Sequence, residues 1–183
     1  MATKRTAKKQ SKNLNRKLAT PNATNQDQAL RRQLREVLTW GDAHADWKTA
    51  LADLPVEKRG VRPMGLSYSA WELLEHARIT QRDILDFCTN PKYESREWPA
   101  GYWPNMPAPP DESAWEKSIH AFAADTQAMA KLIEDPRTDL FAKIPHGTGQ
   151  TILREAVLLA DHSAYHLGQF VLVRRLLGAW KET

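Results

Sequence analysis

The sequence predicts an all-α protein: a four-helix bundle with a long crossover loop between helices 2 and 3, preceded by a disordered basic N-terminal tail. Four segments carry apolar residues at three- and four-residue steps, and no segment shows the alternation typical of a strand. One connection, rich in proline and aromatic residues, separates the second and third of these segments. The predicted organisation is a tail over residues 1–24 and a bundle over residues 25–183.

The tail stands out by its charge. It holds seven of the chain's 26 lysines and arginines, no acidic residue and almost nothing apolar. Such a segment cannot offset the entropy lost on ordering, so we expect it to be disordered. The 19 basic residues that follow are outnumbered by 22 acidic ones, a net charge of −3. We interpret the tail as a solubilising extension; electrostatic contact with nucleic acid is the functional alternative.

The composition also restricts the location of the protein. The longest apolar run is the five residues Ala156 to Ala160, whereas a membrane helix needs about 20, so no membrane partner is expected. The N-terminus lacks the apolar core of a signal peptide, which makes the cytoplasm the expected location. Cys88 is the single cysteine and cannot form an internal disulfide, in agreement with a reducing compartment.

The first two helices follow from periodicity and end signals. The first is predicted from about Asp27 to Leu54, with His44 on its inward face. The second opens at Ser69 with a capping box, in which the serine and a glutamate three residues later each satisfy a backbone donor. It stops before Pro91, because proline cannot continue a helix.

The last two helices frame the crossover loop. The third is predicted to open with a second capping signature at Ser113 and to end at Asp135, and the fourth to run from about Thr151 to Gly178. The crossover, centred on residues 98–107, contains prolines that forbid a regular element. A connection of this length is unusual unless it packs or functions, so we expect it to lie along the bundle.

Two histidines occupy positions where a bundle helix normally has Leu or Ile. His162 and His166 are four residues apart, so they project from the same helical face. His76 repeats the pattern on the second helix. A single inward histidine is usually a hydrogen-bonded core residue, but three of them in a two-plus-one arrangement favour a ligand set. Three protein nitrogens with open positions are typical of a catalytic metal site, and the ion could be Zn²⁺, Ni²⁺ or Fe²⁺.

The sequence lacks the motifs of two other kinds of metal site. A di-iron carboxylate centre needs Glu-x-x-His on two helices, whereas Glu72 lies four residues before His76 and Glu155 seven before His162. A Cys-x-x-Cys-His haem attachment sequence is also missing.

The segments Trp71 to His76 and Asp161 to Gln169 resemble the DinB-like superfamily, which includes YfiT-type proteins, bacillithiol transferases and mycothiol-dependent maleylpyruvate isomerases. The resemblance covers roughly residues 27–180. It implies a metal-binding four-helix bundle with one histidine from the second helix and His-x-x-x-His from the fourth. Those positions match His76, His162 and His166. Characterised members are thiol-dependent transferases or isomerases, while many members have no known activity.

Four further residues are candidates for the pocket or for orienting the ligands. His44 is a candidate fourth ligand or substrate contact, and a hydrogen-bonded core histidine is the alternative. Thr80 and Asp83, one and two turns after His76, are candidates to orient it; for Asp83 the alternative is a surface carboxylate paired with an arginine. Gln169, close to His166, is a candidate to hydrogen-bond a bound water or ligand, or to close the polar cavity. We assign no catalytic residue.

The expected function is that of a metal-dependent S-transferase or isomerase acting on a small electrophilic substrate. The metal would hold a low-molecular-weight thiol as thiolate, with metal-assisted hydrolysis as the enzymatic variant. The competing expectation is a stress-related protein that binds a metal or ligand without turnover. A homodimer and a small-molecule substrate are the expected partners.

Overall fold

A computed structural model of the protein describes residues 23–39 and 41–181. Within these ranges the chain forms five α-helices and no strand, which confirms the all-α prediction. The helices are α1 (Ala23–Val37), α2 (Trp47–Leu51), α3 (Ala70–Thr89), α4 (Glu112–Glu134) and α5 (Ile152–Leu176). The predicted tail lies outside the described residues, except for its last two positions, which belong to α1. None of the described helices is long and apolar enough to cross a lipid bilayer.

The helices pack as a four-helix bundle. Helix α3 lies against both α4 and α5, α1 packs on α4, and α2 packs on α5, so α1 and α2 together take the fourth position. One buried cluster is centred on Trp115 and Phe170, and a second on Met129, Ile133 and Leu159. The inward stripes of α3, α4 and α5 therefore supply most of the core, as periodicity predicts.

The prediction of one continuous first helix is wrong. Residues 38–46 separate α1 from α2. Asp46 starts α2 as its N-cap and accepts a hydrogen bond of 2.7 Å from the backbone nitrogen of Thr49. Gly41 is a poor helix former, and an aspartate cap favours a new helix start over continuation of the old one. The break places His44 in the connection, where it is exposed, and not on an inward helical face.

The ends of the long helices follow local side-chain chemistry. At α3 the predicted capping box is present, because Ser69 accepts from the backbone of Glu72 and Glu72 accepts from the backbone of Ser69. At α4 the cap is Asp111, and the predicted cap Ser113 lies inside the first turn. The Asp111 carboxylate accepts a hydrogen bond of 2.8 Å from the backbone nitrogen of Ala114, one of the free backbone donors at the start of a helix.

The crossover between α3 and α4 spans residues 90–111 and includes a short 3-10 turn, Ala100–Tyr102. It packs on the bundle: Ser69 donates a hydrogen bond to the carbonyl of Pro107, and Trp103 packs against the apolar core. The long connection therefore places its aromatic residues against α3, the helix that carries His76.

Candidate metal centre

Three imidazoles meet between α3 and α5. His76 lies on α3, and His162 and His166 lie one turn apart on α5. The Nε2 atom of His76 is 3.1 Å from Nε2 of His166 and 3.2 Å from Nε2 of His162. One ligand nitrogen from each residue lies within 4.8 Å of the other two, a grouping that could hold a metal ion. The fold thus brings together the three histidines singled out in the sequence.

Burial keeps these rings neutral. His76 and His166 are buried and His162 is half-buried. Burial lowers the pKa of all three, to about 3 for His162 and to about 4 for His166. Neighbouring imidazoles lower the pKa of both α5 histidines further. At neutral pH each ring therefore carries a lone pair on one nitrogen, the form in which imidazole binds metals.

The hydrogen bonds at the far side of two rings determine which nitrogen holds the proton. Nδ1 of His76 lies 2.8 Å from the main-chain oxygen of Tyr102, and Nδ1 of His166 lies 2.7 Å from Oε1 of Gln169. Both partners are acceptors, so both Nδ1 atoms donate. The Nε2 atoms of His76 and His166 are then lone-pair acceptors that face each other at 3.1 Å.

The lone pairs on the Nε2 atoms are arranged to bind a cation. Two facing lone pairs on neutral rings repel each other, and protonation of either ring is disfavoured by the lowered pKa. Outer hydrogen bonds to a carbonyl or amide oxygen are also the usual support of metal-ligating histidines. Sequence reasoning placed Gln169 near a ligand or water; in the structure it orients His166 directly.

The crossover forms one wall of the site. The indole of Trp103 stacks on the imidazole of His76. The phenol of Tyr102 donates to Asp83 at 2.9 Å, and Tyr93 donates to the same carboxylate at 3.1 Å. Burial and the carboxylate raise the pKa of both phenols, which keeps them protonated as donors. Asp83 therefore reaches His76 indirectly, through the Tyr102 main chain, and it also lies 3.7 Å from Arg96.

The other two candidate residues, Thr80 and His44, do not hydrogen-bond to the three histidines. The Thr80 hydroxyl is buried and has no hydrogen-bond partner among the described residues. His44 does not join the three histidines; its Nδ1 lies 2.9 Å from the main-chain oxygen of Ala45, because the break after α1 carries it into the connection. Burial raises the pKa of the Cys88 thiol to about 12, so it stays protonated.

Sequence reasoning missed the role of Tyr102. Its contribution to the site is a main-chain carbonyl, which leaves no trace in residue identity. The available signal was the aromatic composition of the crossover, which indicated packing but not the helix it would contact.

Comparison with known proteins places the chain in a family. A profile of the DinB superfamily matches residues 39–170, a range that contains all three histidines. No curated protein and no solved structure matches the chain. Because the matched range covers more than two thirds of the sequence, the chain belongs to the DinB superfamily.

Proposed function

We propose that His76, His162 and His166 hold one divalent metal ion, and that the protein is a metal-dependent transferase or isomerase that delivers a low-molecular-weight thiol to a small electrophile. The observation that carries this proposal is the pair of Nε2 atoms, on His76 and His166, that face each other at 3.1 Å. Zn²⁺, Ni²⁺ and Fe²⁺ all suit imidazole ligands. Three protein ligands leave positions for an external group, as in catalytic zinc sites.

A bound divalent ion would supply one chemical effect: it lowers the pKa of a coordinating thiol, which is then a thiolate at neutral pH. The protein's own residues do the positioning. The Tyr102 carbonyl and the Gln169 amide fix two of the rings. Trp103 covers one face of His76 and keeps water from that side.

The composition of the cluster supports thiol transfer over hydrolysis. No carboxylate or cysteine of the described part of the chain joins the three histidines within 4.8 Å. Activation of water is usually assisted by a general base, whereas a coordinating thiol loses its proton without one. The Cys88 thiol, with a pKa of about 12, is unsuited as a nucleophile, so the sulfur has to come from an external thiol.

The test uses full-length protein loaded with Zn²⁺, Ni²⁺ or Fe²⁺, a panel of low-molecular-weight thiols and 1-chloro-2,4-dinitrobenzene. The thiolate sulfur forms a bond to the ring carbon, and the carbon–chlorine bond breaks with release of chloride. We expect thioether formation, followed by absorbance, that requires metal and is lost in His162→Ala. If the protein binds metal stoichiometrically but no thiol of the panel is consumed, the transferase proposal fails and a non-catalytic metal-binding role takes its place.

A further inference from the structure

A cavity of about 990 Å³ lies on the side of α5 that faces away from the histidines. Trp47, Trp115 and Phe122 line it, and Ser163 and Ala164 bring α5 to its wall. None of the three clustered histidines borders it. Its volume is at the upper end of the range of small-molecule sites, about 300–1,000 Å³. Helix α5 therefore has the histidine cluster on one face and a largely apolar cavity on the other.

One residue of the cavity wall is a buried arginine with almost no partners. Arg59 is 8% exposed. Its Nε donates to the carbonyl of Leu54 at 3.3 Å, and its guanidinium carbon lies 4.8 Å from the centre of the Trp115 ring. No carboxylate of the described chain lies within 4.0 Å of it, and its Nη1 is buried without a hydrogen-bond acceptor. A buried cation that lacks a counter-ion is costly and normally paired.

The other two buried arginines show what is unusual about Arg59. Arg31 donates to the carbonyls of three residues and to a carboxylate. Arg174 also donates to three carbonyls, one of them that of Ala179. Both guanidinium groups are thus satisfied by the fold. Among these three, Arg59 alone has a buried donor that the described residues do not use, and its charge faces only the ring of Trp115.

From these observations we propose that the cavity binds a small monocarboxylate with an apolar body, its carboxylate paired with Arg59 and its body against the aromatic wall. A carboxylate matches the guanidinium in charge and geometry. The tryptophans and Phe122 offer an apolar surface for an alkyl chain or ring.

The rim of the cavity limits the charge of the ligand. Asp53, Glu116 and Asp161 are exposed and also line it, as do the half-buried Asp46 and one exposed lysine, Lys48, so carboxylates outnumber lysines at the rim. These carboxylates repel a multiply charged anion such as a phosphate ester, whereas a ligand with one negative charge places it at Arg59 and away from the solvent-screened rim. The ligand class is therefore a monocarboxylate with an apolar tail.

The test compares decanoate with its neutral counterpart decanamide, by isothermal titration calorimetry on the full-length chain. We expect decanoate to bind at least roughly tenfold more tightly than decanamide. Arg59→Met should reduce decanoate affinity to that of decanamide. Arg175→Met, which removes an exposed arginine outside the cavity, is the matched control and should change neither affinity.

Two further variants keep the outcome clear. Ala164→Trp fills the cavity from an exposed position while leaving Arg59 in place, so it should weaken both ligands at least roughly tenfold. His162→Ala should leave decanoate binding unchanged, which separates this proposal from the metal centre. Equal affinity for decanoate and decanamide, retained preference in Arg59→Met, or no binding of decanoate to the full-length chain would each overturn the proposal.

Discussion

The imidazole of His76 lies flat against the indole of Trp103, with ring centroids 4.0 Å apart and planes inclined by only 5°. The contact joins a residue of α3 to a residue of the crossover. The main-chain carbonyl of the preceding residue, Tyr102, accepts a hydrogen bond from Nδ1 of the same imidazole. Two consecutive crossover residues thus hold one ring by its face and its edge, so substitutions in this connection should act on metal binding.

Loss of one α5 ligand should abolish stoichiometric metal binding. The wild-type protein should bind about one ion per chain, and His162→Ala or His166→Ala should reduce this to a small fraction. Elemental analysis after gel filtration measures the ratio. His120→Ala, which removes an exposed histidine of α4, should retain full metal content. Undiminished metal in the double variant His162→Ala/His166→Ala would contradict the assignment.

The hydrogen bond from His166 to Gln169 should contribute to affinity without contributing a ligand. Gln169→Met keeps the approximate size of the side chain and removes the acceptor, so the ring of His166 loses its orientation. We expect metal affinity to fall by roughly 10- to 100-fold, the usual cost of losing such a partner, measured by competition with a chromophoric chelator. An unchanged affinity together with an unchanged melting temperature would show that Gln169 has no positioning role.

The two phenols on Asp83 should have different effects. Tyr102→Phe releases the segment whose carbonyl orients His76, so we expect metal affinity to fall roughly three- to tenfold, less than for a direct partner. Tyr93→Phe removes an equivalent hydrogen bond to the same carboxylate. Tyr93, however, does not carry the carbonyl that orients His76. Tyr93→Phe is therefore the control and should leave the affinity nearly unchanged. Equal losses in the two variants would mean that Asp83 acts only on overall stability.

Metal affinity should tolerate mild acid. Protons compete with the metal only where the folded, metal-free rings titrate, and burial lowers the pKa of His162 to about 3 and of His166 to about 4. Burial also lowers the pKa of His76, so affinity should fall at a lower pH than it would with exposed imidazoles, which titrate near 6.5, and should decline steeply near pH 4. Chelator competition at each pH, with circular dichroism to confirm folding, tests this. A tenfold loss between pH 7 and pH 6 would show that the rings titrate as exposed imidazoles.

The two serines that open similar sequences should differ in their effect on stability. Ser69→Ala removes the capping box of α3 and a hydrogen bond to the crossover, which should cost about 1–2 kcal/mol of unfolding free energy. Ser113→Ala should cost much less, because Asp111 caps α4. Urea denaturation of both variants measures the difference. Equal destabilisation would mean that the observed caps do not set the ends of these helices.

The parts of the fold that the sequence predicts well are those where several local signals agree. At α3, apolar periodicity, the Ser69 capping box and Pro91 beyond the end all mark the same helix. The prediction of one continuous first helix is wrong because apolar residues at three- and four-residue steps occur on both sides of the break. Apolar periodicity does not reveal such an interruption, whereas an N-cap residue such as Asp46 indicates the start of a new helix.

The site shows the same division between local and long-range information. His76 and His166 could be found in the sequence because each interrupts an apolar stripe, which is a local pattern. The carbonyl of Tyr102 could not, since every residue has one and only the path of the crossover brings this one to His76. Arg59, in the connection between α2 and α3, lies against Trp115 of α4, and the sequence around the arginine resembles an ordinary surface turn.

The order of the ligands along the chain has a consequence for biosynthesis. His76 lies 86 residues from His162 and 90 from His166, and α5 is translated after the other four described helices. A nascent chain that has exposed only α1 to α4 displays a single one of the three histidines. The cluster can close only when α5 docks onto α3, a contact between distant parts of the sequence. Uptake of a metal ion by the cluster would therefore mark chains in which this docking is complete.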